Sequence, residues 1–227
     1  MSGGDPREPR ERRFWTAGPD RVVSLDPFAI MGVVNATPDS FSDGGQFSNA
    51  EEAAQYALQL VEEGATIIDI GGESTRPGAA RVDAEEQVRR VVPVIARVRS
   101  HSGVAISVDT TLAAVAEAAL EAGADIVNDV SAACEDPAML PLVARKGAGL
   151  ILMHRLAPPG EDSYSDRYAE PPIYDDVVRE VASYLLARAD IAMTAGVARE
   201  MIALDPGLGF GKSVAQNYEL IARTGEL

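Results

Sequence analysis

The chain has 227 residues, of which 46% are hydrophobic and only 5% aromatic, and its formal net charge at pH 7 is −15. This length can bury one large core, so we expect a single domain filled mainly by Ala, Val, Ile and Leu. The negative charge argues against a nucleic-acid partner, because no excess of Lys and Arg is available to replace phosphate counterions.

The N-terminal region predicts a disordered tail over residues 1–13, followed by a folded domain over 14–227. The tail is polar and lacks the apolar segment of a secretory signal. No apolar stretch approaches the roughly 20 residues that a membrane span needs, so no membrane association is expected. The single cysteine, Cys134, excludes an intramolecular disulfide and favours a reducing, cytoplasmic location of bacterial type. Residues 14–25 predict a short β-hairpin with turn residues between apolar flanks.

Six apolar runs follow, and each ends in a polar side chain. Continuous Val/Ile/Leu runs are typical of parallel strands that are covered on both faces. Helical spacing between the runs indicates βα units, so the predicted fold is an α/β TIM (β/α)₈ barrel, whose active site lies at the C-terminal strand ends. The polar residues at these ends are Asn35, Glu73, Asp109, Asn128, His154 and Asp205.

Six strands are fewer than the eight of a closed barrel, which typically has about 250 residues. We therefore expect a C-terminally truncated barrel of about six βα units, without strands 7 and 8. The segment 155–174, rich in proline and tyrosine, interrupts the pattern and predicts a mobile or partly disordered loop.

Two polar loops follow the first two strands. The first, residues 35–45, is longer than a βα connection requires, which favours a functional loop over a simple turn. The second, residues 71–78, combines glycines with hydroxyls and Arg76, a combination that can bind an anion. The alternative for the second loop is a solvated arginine in a Gly/Pro turn.

Asp109 and Asn128 end neighbouring strands, and together they suit a flat heterocycle that offers N–H and C=O groups on one edge. The alternative is that each residue caps a helix, and the residues alone do not decide between the two. The glycine-rich segment 205–213 is not a P-loop, because Pro206 stands where that motif needs Gly. Its G-x-G-x-G spacing also differs from the dinucleotide-binding pattern.

In chain order, the motifs GVVNATPDSFSDGG, IIDIGGESTRPGA, ISVDT, IVNDVS, LILMH and LDPGLGFGK closely resemble those of dihydropteroate synthase of folate biosynthesis. The resemblance covers roughly residues 14–227. It implies a TIM-barrel transferase that joins 6-hydroxymethyl-7,8-dihydropterin diphosphate to 4-aminobenzoate and releases diphosphate with Mg²⁺. It also implies a sulfonamide target that is a homodimer when full length.

The resemblance assigns roles to particular residues. The expected catalytic residues are Asp109, Asp43 and Arg76. The pterin would be bound by Asp109, Asn128, Val130, Met153 and Asp205. Mg²⁺ and the diphosphate would be met by Asn35. The aminobenzoate side would be formed by Asp39, Phe41, Asp43, Thr75, Arg76, Pro77, Phe210 and Lys212.

The family's later Ser-Arg-Lys and Arg-x-His-Asp segments have no counterpart in this sequence, so we expect this chain alone to be inactive or poorly soluble. An alternative interpretation is a non-catalytic homologue that binds pterin without transferring it. A methyltetrahydrofolate methyltransferase would share the Asp/Asn recognition of pterin, but it would not be expected to carry the STRPG and TPDSFSDGG loops.

Overall fold

The computed structural model describes residues 13–36 and 46–227, with two separate sheets. A two-stranded antiparallel hairpin comes first, formed by β1 (Phe14–Gly18) and β2 (Arg21–Ser24). The second sheet is parallel, and its six strands lie side by side in chain order. They are β3 (Met31–Asn35), β4 (Ile67–Gly71), β5 (Ala105–Asp109), β6 (Ile126–Asp129), β7 (Gly149–Met153) and β8 (Ile202–Asp205).

Helices connect or follow these strands. They are α1 (Gln46–Glu62), α2 (Ala84–His101), α3 (Ala113–Glu121), α4 (Met139–Lys146), α5 (Val177–Thr194) and α6 (Val214–Ala222). Local sequence explains several of the ends. Asp83 caps α2 by accepting a hydrogen bond from the N–H of Glu86 at 2.8 Å. Gly147 ends α4 with a φ of 62°, a left-handed conformation that glycine adopts without steric cost.

The two faces of the parallel sheet are buried in different ways. Side chains at alternate strand positions, such as Ile68, Ile106 and Leu150, join the helices in the main hydrophobic core. The intervening positions near the strand starts, such as Ala105 and Ile126, pack against Trp15 and its neighbours in the hairpin. The hairpin therefore covers the N-terminal end of the second face, while the C-terminal end of that face carries polar side chains.

An ion-pair cluster fastens the hairpin to the sheet. The carboxylate of Asp125 accepts hydrogen bonds from Arg99 at 2.5 Å and from Arg21, in β2, at 3.3 Å. One of its oxygens also accepts the backbone N–H of Ile106 at 2.9 Å. This end of the molecule is therefore a structural end, opposite the polar strand tips.

The predicted hairpin and the predicted order of βα units are confirmed. Within residues 13–36 and 46–227, strands β3 and β8 form the outer edges of the sheet, so the described part is an open, TIM-barrel-like α/β sheet. Twelve of the residues assigned to the N-terminal tail lie outside the described part. The backbone of the last, Arg13, is already tied to the hairpin through a 2.8 Å hydrogen bond from the N–H of Leu25.

The segment 155–174 is a loop, as predicted, and its mobility stays a prediction. It contains the short 3₁₀ helix Pro159–Glu161, and it contacts the loops that follow β4 and β8. The carbonyl of Pro159 accepts the N–H of Gly78 at 2.8 Å, and Asp162 accepts the N–H of Gly211 at 2.9 Å. The segment therefore directs backbone and carboxylate groups towards these loops.

Candidate active site

The C-terminal strand ends bring the predicted ligand residues into neighbouring registers. Asn35 pairs with Gly71, which pairs with Asp109, and Asp109 pairs with Asn128. In the last two strands, β7 and β8, Met153 pairs with Asp205. Five of the predicted site residues therefore lie along one edge, which the C-terminal strand ends form: Asn35, Asp109, Asn128, Met153 and Asp205.

Asp109 lies at the centre of this edge. Burial raises the pKa of Asp109 well above its usual value, and the nearby carboxylates of Asp69, Asp129 and Glu73 raise it further, while Arg155 opposes them. A carboxylate held at such a cost is more typical of a functional site than of a solvated turn. Asp109 does not cap a helix, because α3 begins after Leu112.

Asn128 also has a tertiary role and caps no helix. Its Nδ2 donates a 3.0 Å hydrogen bond to Oδ2 of Asp69, which lies in the middle of β4. Its Oδ1 is buried without a hydrogen-bond partner among the described residues. An unpaired buried acceptor is costly, which indicates a ligand or water donor at this position.

Asp69 is a site residue that the sequence interpretation missed. It is only 4% exposed, and burial raises its pKa against the opposing effect of Ser107 and Asn128. Ser107 is its register partner in β5, although the two side chains form no hydrogen bond of normal geometry. The available signal was the acid inside the apolar run ATIIDIG. Because side chains alternate along a strand, its position predicts a side chain on the sheet face away from the helices.

The loop after β8 is built around Asp205 and Gly207. The N–H of Gly207 donates to Oδ1 of Asp205 at 2.7 Å. Gly207 has a φ of 65°, and a Cβ there would lie 2.0 Å from the carbonyl oxygen of His154, so only glycine fits. The aspartate and this glycine thus fix where the loop leaves the strand.

The buried side chain of Lys212 stabilises the same loop through hydrogen bonds to its backbone. Its side chain is fully buried, and its Nζ contacts the carbonyl oxygens of Phe210 at 2.7 Å and Gly207 at 2.9 Å. It also lies 3.0 Å from Nδ1 of His154. The structure brings Lys212 close to Phe210, and its ammonium faces protein acceptors. Its contact with the aminobenzoate stays a prediction.

The protonation of this pair follows from its surroundings. Burial and, to a smaller extent, the charge of Lys212 lower the pKa of His154 to about 4. Burial also lowers the pKa of Lys212 to about 8, which Asp205 and Asp162 oppose. A charged Lys212 has only donors, so the neutral His154 accepts at Nδ1 and carries its proton on Nε2.

The loop after β4 forms one wall beside Asp109. Arg76 is exposed, Thr75 and Pro77 are half-buried, and the N–H of Gly78 is tied to Pro159. A cavity at this wall reaches Asp109 and is lined by Glu73, Ser74, Thr75, Ala79, Arg81, Asp109, Thr110, Thr111, Val130, Arg155 and Pro159. The structure therefore brings Thr75, Val130 and Asp109 together, while Arg76 is exposed.

Arg155 is a second residue that the sequence interpretation missed. Its side chain is 7% exposed and pairs with Glu135, which also accepts hydrogen bonds from Arg81 at 2.7 Å and Thr111 at 2.6 Å. These partners lower the pKa of Glu135 against the effect of burial. The Nη1 of Arg155 is buried without a partner in the described residues. The one signal in the sequence was that Arg155 follows directly after the strand-end motif LMH.

Some predicted residues fall outside the described part of the chain. Asp39, Phe41 and Asp43 lie in the range 37–45, so their positions stay predictions. Among the described residues, no group of three or more His, Cys, Asp or Glu side chains is placed to hold a metal ion. No helix in residues 13–36 and 46–227 has the length and apolar character needed to cross a membrane.

Comparison with known proteins defines the class. Residues 31–227 match the family described as pterin binding enzyme, so the chain belongs to this class of proteins. The chain is 47% identical to the dihydropteroate synthase of Mycobacterium leprae over 205 residues, which are 90% of this chain and 70% of that protein. A dihydropteroate synthase of Streptococcus pyogenes is 45% identical, over 86% of this chain and 68% of the relative. The chain belongs to the dihydropteroate synthase family.

Solved structures agree with this assignment. The Xanthomonas albilineans dihydropteroate synthase with 4-aminobenzoic acid matches with a TM-score of 0.82 and 42% identity, over 94% of this chain and 73% of that one. The Yersinia pestis enzyme in a sulfonamide complex also matches with a TM-score of 0.82, at 39% identity, over 94% and 75% of the two chains. The described six-stranded sheet thus has the fold of these enzymes over the part that they share.

Proposed function

We propose that this chain binds 6-hydroxymethyl-7,8-dihydropterin diphosphate and 4-aminobenzoate and forms the bond between them, as a transferase of folate biosynthesis. The observation that carries the proposal is that Asp109 and Asn128 are register partners at the ends of neighbouring strands, in a chain that is 47% identical to a dihydropteroate synthase. The amine nitrogen of the aminobenzoate attacks the pterin methylene carbon. The bond from that carbon to the diphosphate oxygen breaks, its electron pair leaves with the diphosphate, and the nitrogen loses a proton.

The chemistry of the site supports this reaction. The proposed pterin ligands are Asp109, Asn128 and Asp205, with Val130 and Met153 as apolar walls, both of which are buried. Loss of diphosphate leaves positive charge on the pterin, and a carboxylate preorganised beside the ring stabilises that charge in the transition state. Asp109 is our assignment for this task because burial holds its carboxylate away from competing water. Asp43 is proposed as a further catalytic residue.

The second substrate is proposed to bind between the loops after β4 and β8. The residues assigned to this side are Asp39, Phe41, Asp43, Thr75, Arg76, Pro77, Phe210 and Lys212. Arg76, which is exposed, is assigned to the catalytic set because its guanidinium can bind a substrate carboxylate. Lys212 is proposed to act through the loop it holds, since its buried Nζ contacts the carbonyl of Phe210.

Mg²⁺ is proposed as the cofactor, bound by Asn35 together with the substrate diphosphate. Asn35 lies half-buried at the end of β3, and its amide oxygen is a hard ligand of the kind that Mg²⁺ accepts. One protein ligand is compatible with Mg²⁺, which commonly uses one or two protein groups together with substrate phosphates and water. When bound, the ion would neutralise charge on the leaving diphosphate.

Further aspects of the proposal concern the whole protein. We propose that the complete fold is an eight-stranded TIM barrel, that the full-length protein forms a homodimer, and that it works in the cytoplasm. The open sheet edges at β3 and β8 support further strand pairing, since unpaired edges favour association with other strands. The single cysteine supports a reducing compartment.

The test is a turnover assay with both substrates and Mg²⁺, in which dihydropteroate and diphosphate are measured and pterin binding is followed by calorimetry. The proposal expects both products in equal amounts and competition by a sulfonamide, and such turnover by residues 1–227 would overturn the expectation that this chain alone is inactive. Pterin binding without any sulfonamide response would favour the non-catalytic homologue instead. Absence of pterin binding by the folded chain would contradict the proposed function altogether.

A further inference from the structure

Asp69 is a buried acid one layer below the strand-end residues of the site. It pairs in register with Ser107, while Gly71 and Asp109 pair one layer nearer the C-terminal edge. Its side chain is 4% exposed and lies on the sheet face opposite to that of Ile68 and Ile70, which join the core on the helix side. A carboxylate in such surroundings costs free energy, which calls for a specific compensating contact.

The compensating contact is with Asn128. The Nδ2 of Asn128 donates to Oδ2 of Asp69 at 3.0 Å. An ionised carboxylate only accepts hydrogen bonds, so it requires the NH₂ end of the amide and excludes the carbonyl end. Burial raises the pKa of Asp69 and the Asn128 amide opposes that shift, and in the observed contact Oδ2 of Asp69 is the acceptor and Nδ2 of Asn128 the donor. The acid therefore decides which way the Asn128 amide is turned.

The consequence lies at the other end of the amide. With Nδ2 occupied, Oδ1 of Asn128 is left buried and without a partner among the described residues. Asp109, the register neighbour of Asn128, contributes only acceptors when it is ionised. The two neighbouring side chains therefore both present acceptors, and a bound ring must supply N–H donors to both.

We propose that Asp69 is a positioning residue that fixes the amide of Asn128 with its oxygen available to an N–H group of the pterin, and so sets the hydrogen-bond polarity of the pterin site. The inference rests on the proposed function, because it names the group that the site recognises. Asp69 acts through Asn128 and belongs to the layer below the ligand edge. The site thereby favours the pterin, whose ring edge offers N–H donors, over an analogue in which C=O replaces the C–NH₂ group.

The test measures the Kd of 6-hydroxymethyl-7,8-dihydropterin diphosphate by calorimetry, for the unchanged chain and for Asp69→Asn. The variant can bond to Asn128 in either amide orientation, so we expect binding to weaken about tenfold, which corresponds to about 1.4 kcal/mol. The preference for the pterin over its 2-oxo analogue should shrink by a similar factor. A structural role alone would not change this preference.

The exchange variant Asp69→Asn/Asn128→Asp provides a rescue. It restores one N–H donor facing one carboxylate, and the exchanged residue at position 128 still presents an acceptor oxygen to the ligand. We expect it to recover most of the affinity that Asp69→Asn loses, and it keeps the proposal testable if the single variant folds poorly. Asp125→Asn, at the hairpin end, is the matched control and should leave the Kd unchanged.

Three outcomes are decisive. Weaker binding by Asp69→Asn with recovery in the exchange variant supports the inference. Binding within twofold of the unchanged chain by Asp69→Asn, or no recovery in a folded exchange variant, overturns it while the proposed function stands. Absence of pterin binding by the unchanged chain overturns the proposed function and this inference with it.

Discussion

Asp109 places function and stability in opposition. Burial raises the pKa of Asp109 above its usual value of 3.8, so the native state binds more protons than the unfolded state above that pH. Stability therefore falls as pH rises from 3.8 through the raised pKa. Where Asp109 is ionised, its buried carboxylate destabilises the native state, while the proposed reaction needs that charge.

We predict that Asp109→Asn lowers turnover at least ~100-fold, as loss of a preorganised electrostatic contact does. At pH 7 the same change should raise the free energy of unfolding by about 1 kcal/mol. Turnover and urea unfolding on one preparation check both parts, and the stability gain should shrink towards pH 4. Asp125→Asn, which breaks the ion pairs with Arg21 and Arg99, should instead lose stability. A less stable Asp109→Asn at pH 7 would contradict the prediction.

His154 gives the opposite pH dependence. Its pKa is lowered from 6.5 to about 4, so the unfolded state binds more protons between these values, and stability is lost as pH falls through this window. At about 1.4 kcal/mol per pKa unit, the loss reaches about 3 kcal/mol at most. We predict that His154→Asn, which retains an acceptor for Lys212, flattens the urea-midpoint profile between pH 6.5 and 4. An unchanged slope would mean that His154 does not titrate there.

At the scale of elements, the strands were predictable and the contacts between loops were not. The runs IIDIG and AISVD coincide with β4 and β5, because continuous apolar sequence is required wherever both faces of a strand are covered. Asp69 was overlooked because one acid does not disturb such a run, and its partner Asn128 lies 59 residues away. Such a pair forms because β4, β5 and β6 are aligned in a particular register. Sequence periodicity predicts the strands but not this alignment.

The segment 155–174 shows the same limit more strongly. Its prolines and charged residues predict a loop, and that part is correct, but they do not show what the loop touches. Asp162 accepts the N–H of Gly211 at 2.9 Å, and the hydroxyl of Tyr174 donates to the carbonyl of the same glycine at 2.9 Å. Together with the bond between Pro159 and Gly78, these contacts connect the loops after β4 and β8.

We predict that Asp162→Ala raises the KM for 4-aminobenzoate about fivefold and leaves the Kd of the pterin substrate within twofold. The reason is that the two connected loops are the proposed walls of the second site, and loss of positioning weakens binding there. Steady-state kinetics and calorimetry separate the two quantities. Asp166→Ala, an exposed acid in the same segment, is the control and should change neither. An equal effect on both substrates would disprove the separate role of this segment.

At the scale of the whole molecule, the two ends of the sheet have different tasks. In TIM-barrel enzymes, chemistry lies at the C-terminal strand ends and stability at the N-terminal face. Here the hairpin covers the N-terminal end through Trp15, Ala17 and Val23, while Asp109, Asn128 and Asp205 occupy the other end. The sequence indicated the hairpin and the polar strand ends, but not that the hairpin covers the N-terminal end of the sheet or how tightly it approaches β7.

Gly149, the first residue of β7, shows that approach, because a Cβ there would lie 2.6 Å from the carbonyl oxygen of Ala17. Two backbones cannot separate without moving the hairpin, so Gly149→Ala should lower the free energy of unfolding by about 1–3 kcal/mol, the usual cost of overpacking. Below its unfolding transition, the variant should bind the pterin substrate with an unchanged Kd, since the change is at the structural end. Urea unfolding and calorimetry measure the two effects.

Gly103→Ala, where a Cβ meets nothing within 4 Å, is the control and should be neutral or slightly stabilising. Weakened pterin binding by folded Gly149→Ala would show that the two ends of the sheet are coupled.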